Sequence, residues 1–266
     1  MFHWIGAPKW ALAVLMITLA TSLIILSYFV FLRSQRPLMT YTKAGGFAGM
    51  SEVLTIYPDG RASLQSKNVG VKEIKLSGEE VEAVKLMLNE LKSMGSLSYE
   101  ARQGVADFFL HSIVSDGLEI SWVDQWASRD ELPFQLTAAQ LMMDKVLFEA
   151  LGSVFTLRLS RSFDSISIYV EIDDFILRSG EDTEVRVILE NQGEDIDLSY
   201  PPLNASGECL KAEMPVSEGV LRKGIPLELS VKITAECGNR ISRFLLTPTF
   251  AESFIEVPIF VIRGSD

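Results

Sequence analysis

The chain has 266 residues, 48% of them hydrophobic and 22% charged, which suits one large or two ordinary domains and excludes disorder as the main state. A formal net charge of −11 and a pI near 4.8 argue against nucleic acid as the main partner, since phosphate binding needs clustered Lys and Arg. Two Cys and two His are too few for a single-chain Cys₄ or Cys₂His₂ zinc site, and the H-E-x-x-H, P-loop, G-x-G-x-x-G and G-x-S-x-G patterns are absent, so no metal, no cofactor and no enzymatic activity are expected.

The mean hydropathy of +0.22 is high for an acidic protein, and the excess sits at the N-terminus. Residues 10–32 carry no charge, and at about 1.5 Å of rise each they span about 35 Å as a helix, more than a hydrocarbon core of about 30 Å. Thr18, Thr21, Ser22 and Ser27 are the polar residues of this run, and each hydroxyl can bond back to a carbonyl of its own helix. Trp4, Trp10, Tyr28, Phe29 and Phe31 flank it like interfacial belts. The expectation is a single-pass anchor in 1–36; a cleaved signal peptide fits less well, because the run is long and no A-x-A-like site follows. Lys9 lies on one side and Arg33 and Arg36 on the other, which leans towards a cytoplasmic C-terminus. Cys209 and Cys237, which lie in the same C-terminal segment as a disulfide pair would, and the sequon Asn204-Ala205-Ser206 point the opposite way, so an extracytoplasmic C-terminal part in a cell membrane is expected, with Asn204 a candidate glycosylation site.

From 37 to 153 the pattern predicts an α+β domain. Met39 to Lys43, Val53 to Tyr57, Ala62 to Ser66 and Val71 to Leu76 read as strands of an antiparallel meander, with a tight turn at Asp59-Gly60. Ser77-Gly78-Glu79-Glu80 fits a capping box, and Val81, Val84, Leu88 and Leu91 form one apolar stripe of the helix that follows, ending near Ser93 to Gly95. A hairpin around Asp116-Gly117 joins Asp107–Ser115 to Leu118–Val123, and a second helix runs from about Gln135 to Leu151. His111 and Ser112 point to opposite faces of their strand, so they cannot form a nucleophilic pair there and His111 is expected to be a structural histidine.

From 154 to 266 the period becomes two. Ile166, Ile168 and Val170 alternate with polar residues, as do Val185, Val187 and Leu189, and later runs recur about every ten residues. About seven short strands in this length predict an all-β, immunoglobulin-like sandwich. Counted from Phe155, eleven Lys and Arg stand against nineteen Asp and Glu, so most of the negative charge lies here. Asp173-Asp174, Glu181-Asp182 and the acidic group at 194–197 lack the spacing of a calcium loop and are expected to be solvated turns.

The block Tyr41-Thr42-Lys43-Ala44-Gly45-Gly46-Phe47-Ala48-Gly49, followed by Leu54-Thr55-Ile56-Tyr57-Pro58-Asp59-Gly60, resembles the emfourin family, proteinaceous inhibitors of protealysin and related thermolysin-like metalloproteases. Ala106-Asp107-Phe108-Phe109 agrees in order, while Trp122-Val123-Asp124-Gln125-Trp126 resembles archaeal-type relatives more than the inhibitors themselves. The likeness covers roughly Met39 to Leu151. It implies a module that presents a loop to a protease cleft and blocks it without being turned over. In this chain that loop is Gly45, Gly46, Phe47, Ala48 and Gly49, with Trp122 and Trp126 as further candidates for contact with a protein partner. The residues themselves leave alternatives open: glycines serve turns, Phe47 either plugs the core or protrudes, and the two tryptophans either pack or present a surface. The expected function is that of a membrane-anchored binding protein, an inhibitor of a surface metalloprotease; the alternative is a structural or adhesive component of the cell envelope.

Overall fold

The computed structural model describes residues 9–34, 36–198, 203–214, 219–249 and 253–263. It is predominantly β, with three helices. The first helix, α1 (Lys9–Ser34), has its side chains described at 14–25 and 27. All are exposed, and apart from Thr18, Thr21, Ser22 and Ser27 they are apolar, from Val14 and Leu15 to Ile24 and Ile25. Each described hydroxyl bonds to a carbonyl one turn back: Thr18 to Val14 and Leu15, Thr21 to Ile17, Ser22 to Thr18 and Ser27 to Ile24, all within 3.0 Å. Among the described residues no helix is long and apolar enough to cross a membrane, and in the expected span 10–32 side chains are described at 14–25 and 27 alone.

Seven strands form the first sheet: β1 (Met39–Gly45), β2 (Met50–Ile56), β3 (Arg61–Ser66), β4 (Gly70–Lys75), β5 (Leu97–Ser98), β6 (Phe109–Ser115) and β7 (Leu118–Val123), in the order β4-β3-β2-β1-β6-β7-β5. All neighbours are antiparallel except β5 and β7. Alternation decides the faces. Met39, Tyr41, Leu54, Ile56, Ala62, Leu64, Ile113, Ile120 and Trp122 are buried on one side, and Thr40, Thr42, Val53, Thr55, Ser112 and Val114 line the other. Two helices, α2 (Gly78–Met94) and α3 (Phe134–Ala150), cover the apolar side. The capping box forms as expected, Glu80 N donating to Ser77 Oγ at 3.1 Å and Ser77 N to Glu80 Oε2 at 2.7 Å.

The rest of the chain folds into eleven described strands, more than the seven expected. They are β8 (Leu157–Phe163), β9 (Ile166–Ile172), β10 (Ile176–Arg178), β11 (Asp182–Asn191), β12 (Ile196–Leu198), β13 (Leu203–Gly207), β14 (Leu210–Glu213), β15 (Gly219–Leu221), β16 (Leu227–Ala235), β17 (Arg240–Pro248) and β18 (Ile255–Ile262). Sheets β10-β18-β17-β13 and β14-β16-β11-β9-β8 share a sandwich core, and β12 and β15 form a separate ribbon. The surplus comes from strands of three or four residues, β10, β12, β14 and β15, too short to show an alternation. Cys209 and Cys237 are bonded with Cα atoms 5.3 Å apart. Asn204 is exposed on the edge strand β13, opposite Thr247.

The helices are covered on both sides, because α2 and α3 also lie against β17 and β18. The guanidinium of Arg243 sits 4.6 Å from the centroid of the Phe134 ring. An aromatic chain runs from Phe148 to Phe155 at 5.6 Å and on to Phe175 and Phe260 at 6.0 Å steps. Glu79 of α2 pairs with Arg178 of β10.

Candidate functional site

The expected loop lies at one end of the first sheet, between β1 and β2. Gly45 pairs with Met50 on one side and Phe109 on the other, which brings the turn beside the segment before β6. Gly46 N donates to Phe108 O at 3.0 Å, and Gly49 N closes the turn on Gly46 O at 2.9 Å. Glycine is demanded here by space as well as by dihedral angle. Gly45 has φ +120°, and a Cβ there would stand 2.5 Å from the Phe108 carbonyl oxygen; Gly46 has φ +68°, and its Cβ would stand 2.7 Å from the Phe109 ring.

The turn so held carries Phe47 clear of the core. It is 97% exposed at the apex, with Ala48 and Gly49 exposed beside it. Of the two readings open for Phe47, protrusion is the one adopted. Next to it lies a shallow hollow of about 510 Å³ lined by Ala44, Ala106, Phe108 and Leu110, with Asp107 at its margin. Asp107 takes φ +65°, so β6 begins at Phe109 rather than at Asp107.

The two tryptophans separate. Trp122 is fully buried: it stacks on the His111 ring at 5.3 Å between centroids, and its indole N–H donates to Gln140 Oε1 of α3 at 3.3 Å. Its expected place in a partner contact is therefore corrected to the core, since its position on β7 falls on the helix-facing side. Trp126 is 54% exposed on a turn that Ala127 N and Ser128 N close on Asp124 O at 2.9 and 3.0 Å. Arg102 also donates to the Trp126 carbonyl.

Beneath the turns runs a buried polar relay that includes Tyr41, a residue the strand pattern alone marks only as core. Tyr41 Oη and His111 Nδ1 are 2.7 Å apart, and His111 Nε2 is 3.1 Å from Asp124 Oδ1. A carboxylate only accepts, so Nε2 carries the proton, and neutral His111 accepts the Tyr41 hydroxyl proton at Nδ1. Burial pushes His111 below its ordinary value despite the carboxylate beside it, and pushes the Tyr41 phenol well above its own. Asp124 Oδ2 accepts Phe109 N at 2.8 Å, so one carboxylate ties the Trp126 turn to the start of β6 and, through Phe108, to the Phe47 turn. His111 is thus a structural group with both nitrogens engaged. Lys43 sits 5.2 Å from the centroid of the Phe109 ring and pairs with Asp144 of α3 at 2.9 Å, fixing the end of β1 to the helix layer on the same face as Tyr41 and His111.

Elsewhere the acidic positions are used by turns and ion pairs. Asp174 accepts Ile176 N at 3.0 Å, Glu181 accepts Arg178 N at 2.8 Å and Asp182 pairs with Lys232 at 2.6 Å. Among the described residues no group of three or more potential ligands converges as a metal site would.

No protein-family model matches the chain, and no curated protein matches it. Among solved structures eleven chains match; one is the crystal structure of chicken CD1-1, 9% identical over 83% of this chain and 97% of that one, with a TM-score of 0.18. At that score the likeness carries no argument, and the site stands on its own geometry.

Proposed function

We propose that the protein is a membrane-anchored, non-enzymatic binding protein whose β1–β2 turn blocks a thermolysin-like metalloprotease at the cell surface. The observation that carries the reading is Phe47, 97% exposed on a turn whose conformation Gly45 and Gly46 fix. A large apolar side chain held out on a rigid support is the kind of anchor that fills a partner's pocket. The apolar circumference of α1, with its hydroxyls satisfied inside the helix, supports residues 10–32 as the membrane span. The Cys209–Cys237 bond favours an extracytoplasmic setting for 37–266, where Asn204 is open to glycosylation. The C-terminal sandwich is read as an immunoglobulin-like unit that supports the α+β module.

The test uses the full chain in lipid nanodiscs with a thermolysin-like protease. Wild type at micromolar concentration slows peptide hydrolysis, and Phe47→Ala weakens the effect at least tenfold, about 1.4 kcal/mol. If wild type leaves hydrolysis unchanged, the inhibitor reading falls and that of a structural or adhesive envelope component replaces it.

A further inference from the structure

The exposed apolar side chains of the first sheet's turns gather at one end. Gly45 stands opposite Met50 and Phe109, Leu110 stands opposite Val123, and Lys67 N donates to Ser51 O at 3.1 Å. The turns β1–β2 and β3–β4, the start of β6 and the exit of β7 therefore share one level. Each presents an apolar group: Phe47, Val69 at 47% exposure, Leu110 at 47% and Trp126. The turns at the opposite end, 57–60 and 116–117, present no exposed large apolar side chain among the described residues. That opposite end is where the chain arrives from α1, with Leu38 N on Ile56 O at 2.7 Å and Ser115 Oγ on Leu38 O at 2.7 Å.

Strand spacing gives the ridge its length. From the β3–β4 turn to the exit of β7 there are between four and five strand intervals, which at about 4.8 Å each make about 22 Å, the length of about six residues of extended chain. We infer that Val69, Phe47, Leu110 and Trp126 form one contact ridge that occupies a partner protein's extended peptide-binding cleft, in the place of about six residues of polypeptide. The inference rests on the protein-binding reading of the tip and extends it from one anchor to a line of four.

The ridge itself selects this occupant. Phe47 projects from the row with almost its whole side chain exposed, and a projecting apolar anchor calls for a concave partner surface. The ridge lies at the strand ends away from α1, so the bilayer holding that helix is not what it faces. Exposed Lys67 and Arg102 stand beside its two ends and Asp107 near its middle, so the complementary cleft is acidic at its rims.

The experiment compares variants of the full chain in nanodiscs against a thermolysin-like protease, reading the inhibition constant. Val69→Asp weakens inhibition about tenfold and Val69→Ala about threefold, while Val114→Asp, as exposed as Val69 but at the opposite end of the sheet, stays within about twofold of wild type. If both Val69 variants match wild type while Phe47→Ala weakens inhibition, the ridge is refuted and the single anchor stands. If wild type does not inhibit, both fall together.

Discussion

Gly45 shows how one missing methyl group shapes the tip. Its φ of +120° and the 2.5 Å approach that a Cβ would make to a backbone oxygen leave no flexible neighbour able to give way. Gly45→Ala should therefore lower stability by about 2–3 kcal/mol, whereas Gly49→Ala, at φ +58° with open space around it, should cost about 1 kcal/mol; denaturant midpoints of the two variants separate the effects. His111 makes a second prediction at this scale. Its value in the fold is held below the ordinary one by burial, with Asp124 and Asp144 opposing and Lys43 reinforcing. The unfolded chain takes up the proton first as pH falls, so this contribution to stability is complete above about pH 6.5 and is lost on acidification from there towards the lower folded value. Unfolding free energies at pH 7.5 and 5.5 should differ in wild type, and the difference should shrink in His111→Gln. Equal pH slopes in the two proteins would show that the relay does not titrate.

At the level of elements, the disulfide ties the two sheets of the sandwich together at one end. It closes a sequence separation of 28 residues between the turn after β13 and the turn after β16, a segment that holds β14, β15 and β16. Chain entropy assigns such a loop roughly 3–4 kcal/mol, so Cys209→Ala with Cys237→Ala should lower the denaturation midpoint by that amount without altering far-UV circular dichroism at 25 °C. Elements with a strong local signal were legible beforehand. The Ser77–Glu80 box, the period-two runs of β9 and β11 and the Asp-Gly turns each carry their cause within a few residues. What escaped depends on distant chain. The α2 stripe of Val81, Val84, Leu88 and Leu91 is correct, yet Ala83 and Met87 are buried as well, because β17 and β18 close over the helix from behind. Trp122 and Trp126 are alike as residue types four apart. Only the end of β7 and the turn on Asp124 send one inward and the other out.

Across the whole molecule, the helix layer is the shared core of both sheets, and Lys145 sits at its centre of charge. It is 12% exposed, bonded to Glu80 of α2 and Glu149 of α3, with Asp174 from the sandwich nearby. Burial alone would lower the lysine, but its bonds to Glu149 and Glu80 outweigh that and hold it raised; burial likewise raises Glu149 and Asp174. Lys145→Ala leaves two half-buried carboxylates facing each other without a cation, a loss of about 1–2 kcal/mol once solvent screening is allowed for. One of those carboxyls must then hold a proton in the fold more tightly than in the unfolded chain. A raised carboxyl value contributes stability at low pH that is lost as pH rises through it, so the deficit relative to wild type should be larger at pH 8 than at pH 5. The same variant tests whether the layer couples the two halves. Trp122 and Trp126 lie in the α+β part and Trp4 and Trp10 in the N-terminal segment, so in a Trp4→Phe, Trp10→Phe background indole fluorescence reports the α+β part alone while circular dichroism reports both. In wild type the two urea transitions should coincide; in Lys145→Ala fluorescence should move to lower urea, ahead of the sandwich. Coincident transitions in the variant would mean that the apolar contacts, Phe148 to Phe155 to Phe175 foremost, hold the halves together without the charge cluster.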